Sequence, residues 1–187
     1  MSKNVVISAA ADGIGWCIAN TLLEKGYTVY ASDINQKKID ELNKHPLINK
    51  RLYIENINAS DPESVAQYFE SLSNKVSSIS ALINNVGIAG PTGMMEDVSV
   101  DDWKNTIDTN LNSHFYFTKD AIPLLKRSGG SIVNLSSTAG IFGFPLRTPY
   151  AASKWAIIGV TKSLAMELGD FNIRVNAICP GSVSGDR

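Results

Sequence analysis

Cysteine is scarce in this sequence. Cys17 and Cys179 are its two cysteines, and their separation fits neither a disulfide framework nor a metal-ligand pattern. A disulfide-stapled secreted domain and a cysteine-ligated metal centre are thereby excluded. The expected compartment is the reducing cytoplasm. Cys17, near the start of a predicted helix, is expected to be a buried, inert thiol rather than an activated one. Charge of one sign is lacking too. A formal net charge of −1 makes no electrostatic case for nucleic acid or an anionic membrane as partner. No apolar run approaches the length of a membrane span. The first ten residues have a signal-like apolar centre, but it is short and Asp12 follows at once, so a buried first strand is expected. Repeats, linkers and low-complexity stretches are missing as well. What remains, with 44% apolar and 19% charged residues, is a single soluble globular domain over 1–187 with a real core.

Strand and helix patterns alternate along it. Val5, Val6 and Ile7 predict a first strand, and Ile14, Ile18, Leu22 and Leu23 a helix that Gly26 ends. Residues 27–31 read as a second strand, 34–42 as a polar surface helix and 51–57 as a third strand. Asp61, Pro62 and Glu63 supply a cap, a first-turn proline and a dipole-favoured acid. They open a helix whose buried face is Val65, Tyr68, Phe69 and Leu72. A fourth strand at 79–83 runs into Asn84-Asn85-Val86-Gly87 and a loop to Gly93. Ser99 with Asp102 resembles a capping box before a long helix. Its Trp103, Ile107, Leu111 and Phe115 recur at fourfold spacing, and Pro123 with Gly129-Gly130 closes it. Strand five at 132–135 ends in Ser136-Ser137. A helix over 150–168, with Pro149 tolerated in its first turn, lasts until Gly169. Strand six at 173–178 stops at Pro180-Gly181.

Such alternation predicts the α/β class, a doubly wound parallel sheet. Its ligands bind beyond the carboxyl ends of the strands. Six unusual signals fall at those ends: Gly13-Ile14-Gly15, Asp33, Asn58, Asn84 to Gly87, Ser137 and Pro180-Gly181. Accidents of structure would scatter over both edges, so a cofactor site is expected at this one. Glycines after strand one let backbone N–H groups approach a pyrophosphate at a helix N-terminus. Asp33, roughly 20 residues on, suits the adenosine ribose hydroxyls. A carboxylate there repels a 2′-phosphate, Ile34, Asn35 and Gln36 offer no arginine, and Asp12 adds to the repulsion. NAD is expected over NADP.

Tyr150 and Lys154 stand four residues apart at the start of a helix, on one face about a turn apart. An ammonium so placed stabilises a phenolate and makes the phenol usable as proton donor and acceptor. Chance supplies such pairs too. This one shares its sheet edge with the glycine turn.

On these motifs the sequence resembles the short-chain dehydrogenase/reductase family over essentially its whole length. Residues 8–15 are similar to Thr-Gly-x-x-x-Gly-x-Gly, Asn84 to Gly87 to Asn-Asn-Ala-Gly, and Tyr150 to Lys154 to Tyr-x-x-x-Lys. Ser137 stands thirteen residues before Tyr150, the family spacing. The resemblance implies strand order 3-2-1-4-5-6 and a catalytic set of Asn110, Ser137, Tyr150 and Lys154. Tyr150 would be the general acid in ketone reduction and the base in alcohol oxidation, and Lys154 would tune it and bind the nicotinamide ribose. Ser137 would donate to the substrate oxygen, and Asn110 would hold a water linking Lys154 to solvent. Cofactor contacts are implied at Ser8, Ala10, Asp12, Gly13, Ile14, Gly15, Asp33, Ile34, Asn58, Ala59, Asn85, Val86, Gly87, Tyr150, Lys154, Pro180, Gly181 and Val183. No metal is implied.

Departures from the family pattern are Ala9 for its first glycine and Asn58 for an aspartate. The sequence also stops at Arg187, where family members continue through a substrate lid and a seventh strand. A missing piece is expected, leaving strand six as an edge with Ile173, Val175 and Ile178. The implied substrate pocket takes in 90–95, 141–148 and residues after Val183, with Phe142, Phe144, Met94 and Met95 as an apolar wall. Arg147 offers a cation to an anionic substrate, but a surface or interface role is expected of it. His114 is read as a packed or interface histidine. The helices from Ser99 and Tyr150 resemble those that pair in the family's homodimers and homotetramers, with Ala151, Ala152, Ala156 and Gly159 permitting close approach. The expected activity is NAD(H)-dependent interconversion of a small secondary alcohol and a ketone. Alternatives are a catalytically silent nucleotide-binding or assembly module and an NADPH-dependent ketoacyl reductase.

Overall fold

Six brief, largely apolar runs lie side by side in one parallel sheet, the inner strands buried on both faces and the sixth exposed at every second residue. The structure, a computed structural model, describes residues 3–183. The strands are β1 (Asn4–Ser8), β2 (Thr28–Asp33), β3 (Leu52–Asn56), β4 (Ala81–Asn84), β5 (Gly130–Leu135) and β6 (Ile173–Ile178). Their order is β3-β2-β1-β4-β5-β6, and every neighbouring pair is parallel. The order reverses between β1 and β4, the switch point where such sheets open a crevice.

Alternation along the strands divides the core in two. Val6, Leu82 and Ile132 point to one side and meet Val65, Tyr68, Phe69, Leu72, Phe117 and Leu125. Val5, Ile7 and Val29 point to the other and meet Ala19 and Leu23. The first layer comes from α3 (Pro62–Lys75), α5 (Ser113–Lys126) and α6 (Thr148–Leu168), the second from α1 (Gly13–Glu24). Each large side chain buried in this way contributes about 1.5–3 kcal/mol.

The helix starts follow the predicted caps. Asp61 accepts the Glu63 N–H at 3.1 Å, and Ser99 accepts the Asp102 N–H at 3.0 Å. The predicted helix over 34–42 is shorter, α2 (Gln36–Leu42), because the Asn35 side chain caps it. The long helix from Ser99 is two helices. α4 (Val100–Ile107) passes through a wide turn, Asp108–Asn112, into α5. Buried along them are Thr106, Asn110, Ser113, His114, Phe117 and Ala121, whereas Phe115 is exposed. The predicted stripe from Trp103 to Phe115 lies beside the inward face, which is set by Phe117, Leu124 and Leu125 against the sheet. Pro123 does not end the helix. It is exposed, so the carbonyl it leaves unbonded can meet water, and Leu124 and Leu125 keep the following turn packed. α6 does end at Leu168 with Gly169 as its C-cap, as expected, and the left-handed residue, Asn172 at φ +57°, follows one short turn later.

β6 is the last strand of the sheet among the described residues. Ile173 and Val175 are buried against the helix layer and only Ile178 is exposed, so two of the three expected edge residues are covered. No described helix is long and apolar enough to cross a membrane.

Candidate active site

The turn from β1 to α1 is a knot of backbone contacts. Ala9 has φ +50°, a left-handed conformation that costs a residue with a Cβ about 1–2 kcal/mol. Its carbonyl accepts Asn85 Nδ2 at 2.8 Å, and the Asn85 N–H donates to Ser8 Oγ at 3.1 Å. Ala10 N–H donates to Ser32 O at 3.0 Å, and both Ser8 and Ala10 are buried. These residues build the turn from within. Gly15 lets α1 sit against it, since a Cβ there would stand 2.1 Å from Ala9 O. Gly13 differs: φ is +54°, and a Cβ would meet nothing within 4 Å. First-turn N–H groups of α1 have no carbonyl within the helix to meet; that of Gly13 goes to Asp12 Oδ1, leaving those of Ile14 and Gly15 for an anion.

Asp33 is already engaged at this edge. Its Oδ2 accepts Ala11 N–H at 2.9 Å and its Oδ1 accepts Asn35 N–H at 2.9 Å. Each oxygen keeps a further lone pair. Asp12 caps α1 by accepting Gly13 N–H at 2.8 Å, and Lys38 Nζ stands 3.3 Å from it and 3.6 Å from Glu41. That backbone bond first, and Lys38 second, hold the Asp12 carboxyl below its ordinary range. The cation that 34–36 does not offer stands two residues further on, at Lys38. Ile34 is exposed. Asn58 Oδ1 accepts Ser60 N–H at 3.1 Å, and Ala59 packs against the core.

At the other end, α6 carries Tyr150 and Lys154. Lys154 is buried and its Nζ donates to Leu135 O at 2.9 Å, 5.8 Å from the centre of the Tyr150 ring. The Phe144 ring meets that of Tyr150 edge-on at 6.3 Å. Ser136 Oγ donates to Lys154 O at 2.8 Å, a structural tie between the end of β5 and α6. Ser137 Oγ accepts Ala139 N–H at 3.2 Å and keeps its own proton to donate. Asn110, in the wide turn between α4 and α5, accepts Ile88 N–H at 2.7 Å. Its Nδ2 donates to Ile88 O at 3.0 Å and Ser153 Oγ at 3.1 Å. It thus ties the segment after β4 to α6. His114 Nε2 donates to Val86 O at 3.1 Å, while its buried Nδ1 has no partner among the described residues. Burial above all, and then the Lys154 charge, push its pKa down to about 3, so the ring is neutral. It is a packed histidine, as expected.

One cleft of about 1560 Å³ joins the two ends. Gly13 and Ile14 line one part, Asn85 and Gly87 its middle, and Ser137, Tyr150, Lys154, Pro180, Gly181 and Val183 the remainder. Ser8, Ala10, Asp12, Gly15, Asp33, Ile34, Asn58, Ala59, Val86 and Asn110 are not in its lining; they support the turn or flank it. Phe142 and Phe144 form the expected apolar wall without Met94 and Met95, which are exposed elsewhere. Pocket residues expected beyond Val183 lie outside the described residues. Cys17 corrects the expectation of burial: it is exposed and lines the cleft. Gly15, Ala19 and Leu23 are the buried side of α1, and Cys17 lies about 200° around the helix from Gly15.

Three groups went unnoticed in the sequence. An amide ladder runs under the cleft, Asn84 Nδ2 to Thr118 Oγ1 and Asn134 Oδ1, and Asn134 Nδ2 to Thr161 Oγ1, each at 2.9 Å. Lys38 is the second. The third is Ser153, whose Oγ meets Asn110 and donates to Tyr150 O at 2.7 Å. Polar residues at strand ends and inward helical positions were the available signal.

A family model described as short chain dehydrogenase matches residues 3–187. Trans-4-hydroxycyclohexanecarboxylate dehydrogenase of Sinomonas cyclohexanicum is 38% identical over 97% of this chain and 72% of its own. The 3-oxoacyl-[acyl-carrier-protein] reductase FabG of Thermotoga maritima is also 38% identical, over 97% of this chain and 74% of its own. Among solved structures, ElxO with NADP bound superposes with a TM-score of 0.90 at 30% identity, covering 98% of this chain and 75% of that one.

Proposed function

The chain belongs to the short-chain dehydrogenase family, oxidoreductases that act on CH–OH groups with NAD(P), and within it we propose an NAD(H)-dependent enzyme that interconverts a secondary alcohol and a ketone. The observation that carries this reading is one cleft lined both by Gly13 and Ile14 and by Ser137, Tyr150 and Lys154.

The residues present fit a dinucleotide. The first turn of α1 offers its N–H groups to the pyrophosphate, and open space at Gly13 lets the phosphates approach. Asp33 has lone pairs left for the adenosine ribose hydroxyls. Bound, the nicotinamide supplies or accepts the hydride. Tyr150 gives its hydroxyl proton to the ketone oxygen in reduction and takes one from the alcohol in oxidation. Lys154, fixed by Leu135 O, stabilises the phenolate that Tyr150 becomes. Ser137 directs its hydroxyl proton to the substrate oxygen as charge develops there. Asn110 holds the Ile88 segment and Ser153 in place and leads the proton path from Lys154 towards solvent.

Preference for NAD(H) rests on Asp33 and Asp12. Lys38 softens the Asp12 term, and ElxO was solved with NADP. The similarity to FabG favours a second reading, an NADPH-dependent ketoacyl reductase. Paired titrations with NADH and NADPH, then turnover of ketones and of an acetoacetyl thioester, separate the two; tighter NADPH binding overturns the first. Tyr150→Phe is expected to lower turnover roughly 10²–10⁴-fold with cofactor binding retained. Wild-type turnover in that variant would remove Tyr150 from the chemistry. We read the exposed Phe115, Trp155, Val160 and Met166 on α5 and α6 as the seam of a homodimer or homotetramer, which light scattering checks.

A further inference from the structure

Arg147 lies on the cleft three residues ahead of Tyr150. Both protons of its Nη1 are taken, by Ala89 O and Gly90 O, each at 3.0 Å. These partners are neutral carbonyls, and Arg147 forms no ion pair with any described residue. Among the described residues the guanidinium charge therefore has no carboxylate partner, and its Nε–Nη2 edge, the one that grips a carboxylate through two parallel bonds, has no hydrogen-bond partner there. A second observation concerns the cleft as a whole. Among the described residues its lining includes Lys25, Arg147 and Lys154 and no aspartate or glutamate. Lys154 is committed to Leu135 O and the tyrosine, and Lys25 is the C-cap of α1, the cofactor helix. That leaves Arg147 as the cation beside Phe142 and Phe144, where the substrate is expected.

The anchor is also held still. Leu146 has φ +63°, and its carbonyl accepts Gly93 N–H at 3.0 Å. With the two Arg147 bonds, this clamps the segment before α6 to the loop after β4. An arginine fixed by one of its nitrogens presents the others without much loss of side-chain freedom.

We infer that Arg147 determines specificity by binding a carboxylate of the substrate, so that the preferred substrates are oxo and hydroxy acids rather than neutral ketones and alcohols. This rests on the oxidoreductase reading for its chemistry, but not for its binding.

The test titrates the cofactor-saturated full chain calorimetrically with 3-oxobutanoate, 4-oxopentanoate and 5-oxohexanoate and with their methyl esters. Wild type, Arg147→Gln and Arg147→Lys are compared, and nicotinamide absorbance follows turnover in parallel. At least one acid is expected to bind about 10- to 100-fold more tightly than its ester, the range of hydrogen bonds to charged groups. In Arg147→Gln that preference collapses, with KM carrying the change, and Arg147→Lys restores part of it. The inference is overturned if wild type binds no acid more tightly than its ester, or if Arg147→Gln weakens acid and ester equally, the mark of an arginine that only clamps loops. Should the glutamine variant not fold, the lysine variant decides, and an acid preference equal to wild type overturns the bidentate grip. Acid-selective, Arg147-dependent binding without turnover sinks the oxidoreductase reading alone; turnover without acid preference sinks this inference alone.

Discussion

Gly15 and Gly13 stand two residues apart at the start of α1, and alanine should damage them for different reasons. A Cβ on Gly15 would lie 2.1 Å from Ala9 O, 2.6 Å from Asn85 Nδ2 and 2.9 Å from Ala10 Cα. Two of these atoms are backbone of the β1–α1 turn. The third belongs to the amide that donates to Ala9 O at 2.8 Å. No flexible side chain can yield, so α1 must back away from the sheet by about 1 Å, in a core with no slack for it. Overpacking costs typically 1–3 kcal/mol, and a broken Asn85 bond adds about 1 kcal/mol. At about 2–4 °C per kcal/mol for a domain of this size, a loss of ~3 kcal/mol lowers Tm by roughly 6–12 °C.

Gly13→Ala meets no protein atom within 4 Å and bears only the left-handed strain of φ +54°, about 1–2 kcal/mol. Gly13 lines the cleft, so the new methyl occupies space assigned to the cofactor. The expected pattern is a dissociation: Gly15→Ala is chiefly a stability variant, Gly13→Ala chiefly an NADH-affinity variant. Thermal melts by circular dichroism and NADH titrations by fluorescence read the two axes. A Gly15→Ala melt within 2 °C of wild type would refute the close-approach argument. Wild-type NADH affinity in Gly13→Ala would remove this turn from the cofactor site.

Two further outcomes follow from the charges. His114 is held neutral with its pKa near 3 against an ordinary 6.5, so the unfolded chain binds the extra proton first as pH falls. Its contribution to stability is full above pH 6.5 and declines as pH drops toward 3, by up to about 1.4 kcal/mol per pH unit. His114→Gln keeps a donor for Val86 O and cannot titrate, so urea midpoints measured between pH 6.5 and 4 should fall less steeply than wild type; parallel curves would reject the assignment. Asp12→Asn retains a good cap for α1 and releases Lys38 from its 3.3 Å partner. The NADPH-to-NADH affinity ratio is then expected to rise about tenfold or more, as for a charge-assisted phosphate contact, and adding Lys38→Met should cancel the gain. An unchanged ratio would place Lys38 outside the cofactor's reach.

The sheet was legible because each strand is a short apolar run between strong breaks; inner parallel strands buried on both faces need no alternation to be found, and β6, at the edge, shows it in its buried–exposed pattern. Caps such as Asp61 and Ser99 act within one turn of chain, so local pattern located them. The α4–α5 region was not legible in the same way. Its fourfold stripe of Trp103, Ile107, Leu111 and Phe115 is more apolar than the face that is buried, and hydropathy reads Thr106, Asn110, Ser113, His114 and Thr118 as solvent-facing. Cys17 fails by the same logic in reverse, a residue of usually buried type placed on the outer side of α1.

Those inward polar residues explain how the site is assembled. A buried polar group costs free energy unless it is partnered, and here the partners are remote in sequence. Asn110 bonds Ile88 and Ser153, His114 bonds Val86, and the Asn84 amide bonds Thr118 and Asn134. Each bond runs from a helix or strand to the segment at the end of β4 or to α6. The loop that carries Asn85 and Gly87 and the helix that carries Tyr150 and Lys154 are thus set against each other by buried polar contacts rather than by apolar packing alone. Apolar packing is non-directional; a hydrogen bond weakens steeply when misaligned. Proton and hydride transfer need reacting atoms held to a few tenths of an ångström, and directional bonds supply that where interchangeable methyl groups would not. A polar residue at an inward helical position beneath a glycine-rich strand end is therefore itself a mark of the site.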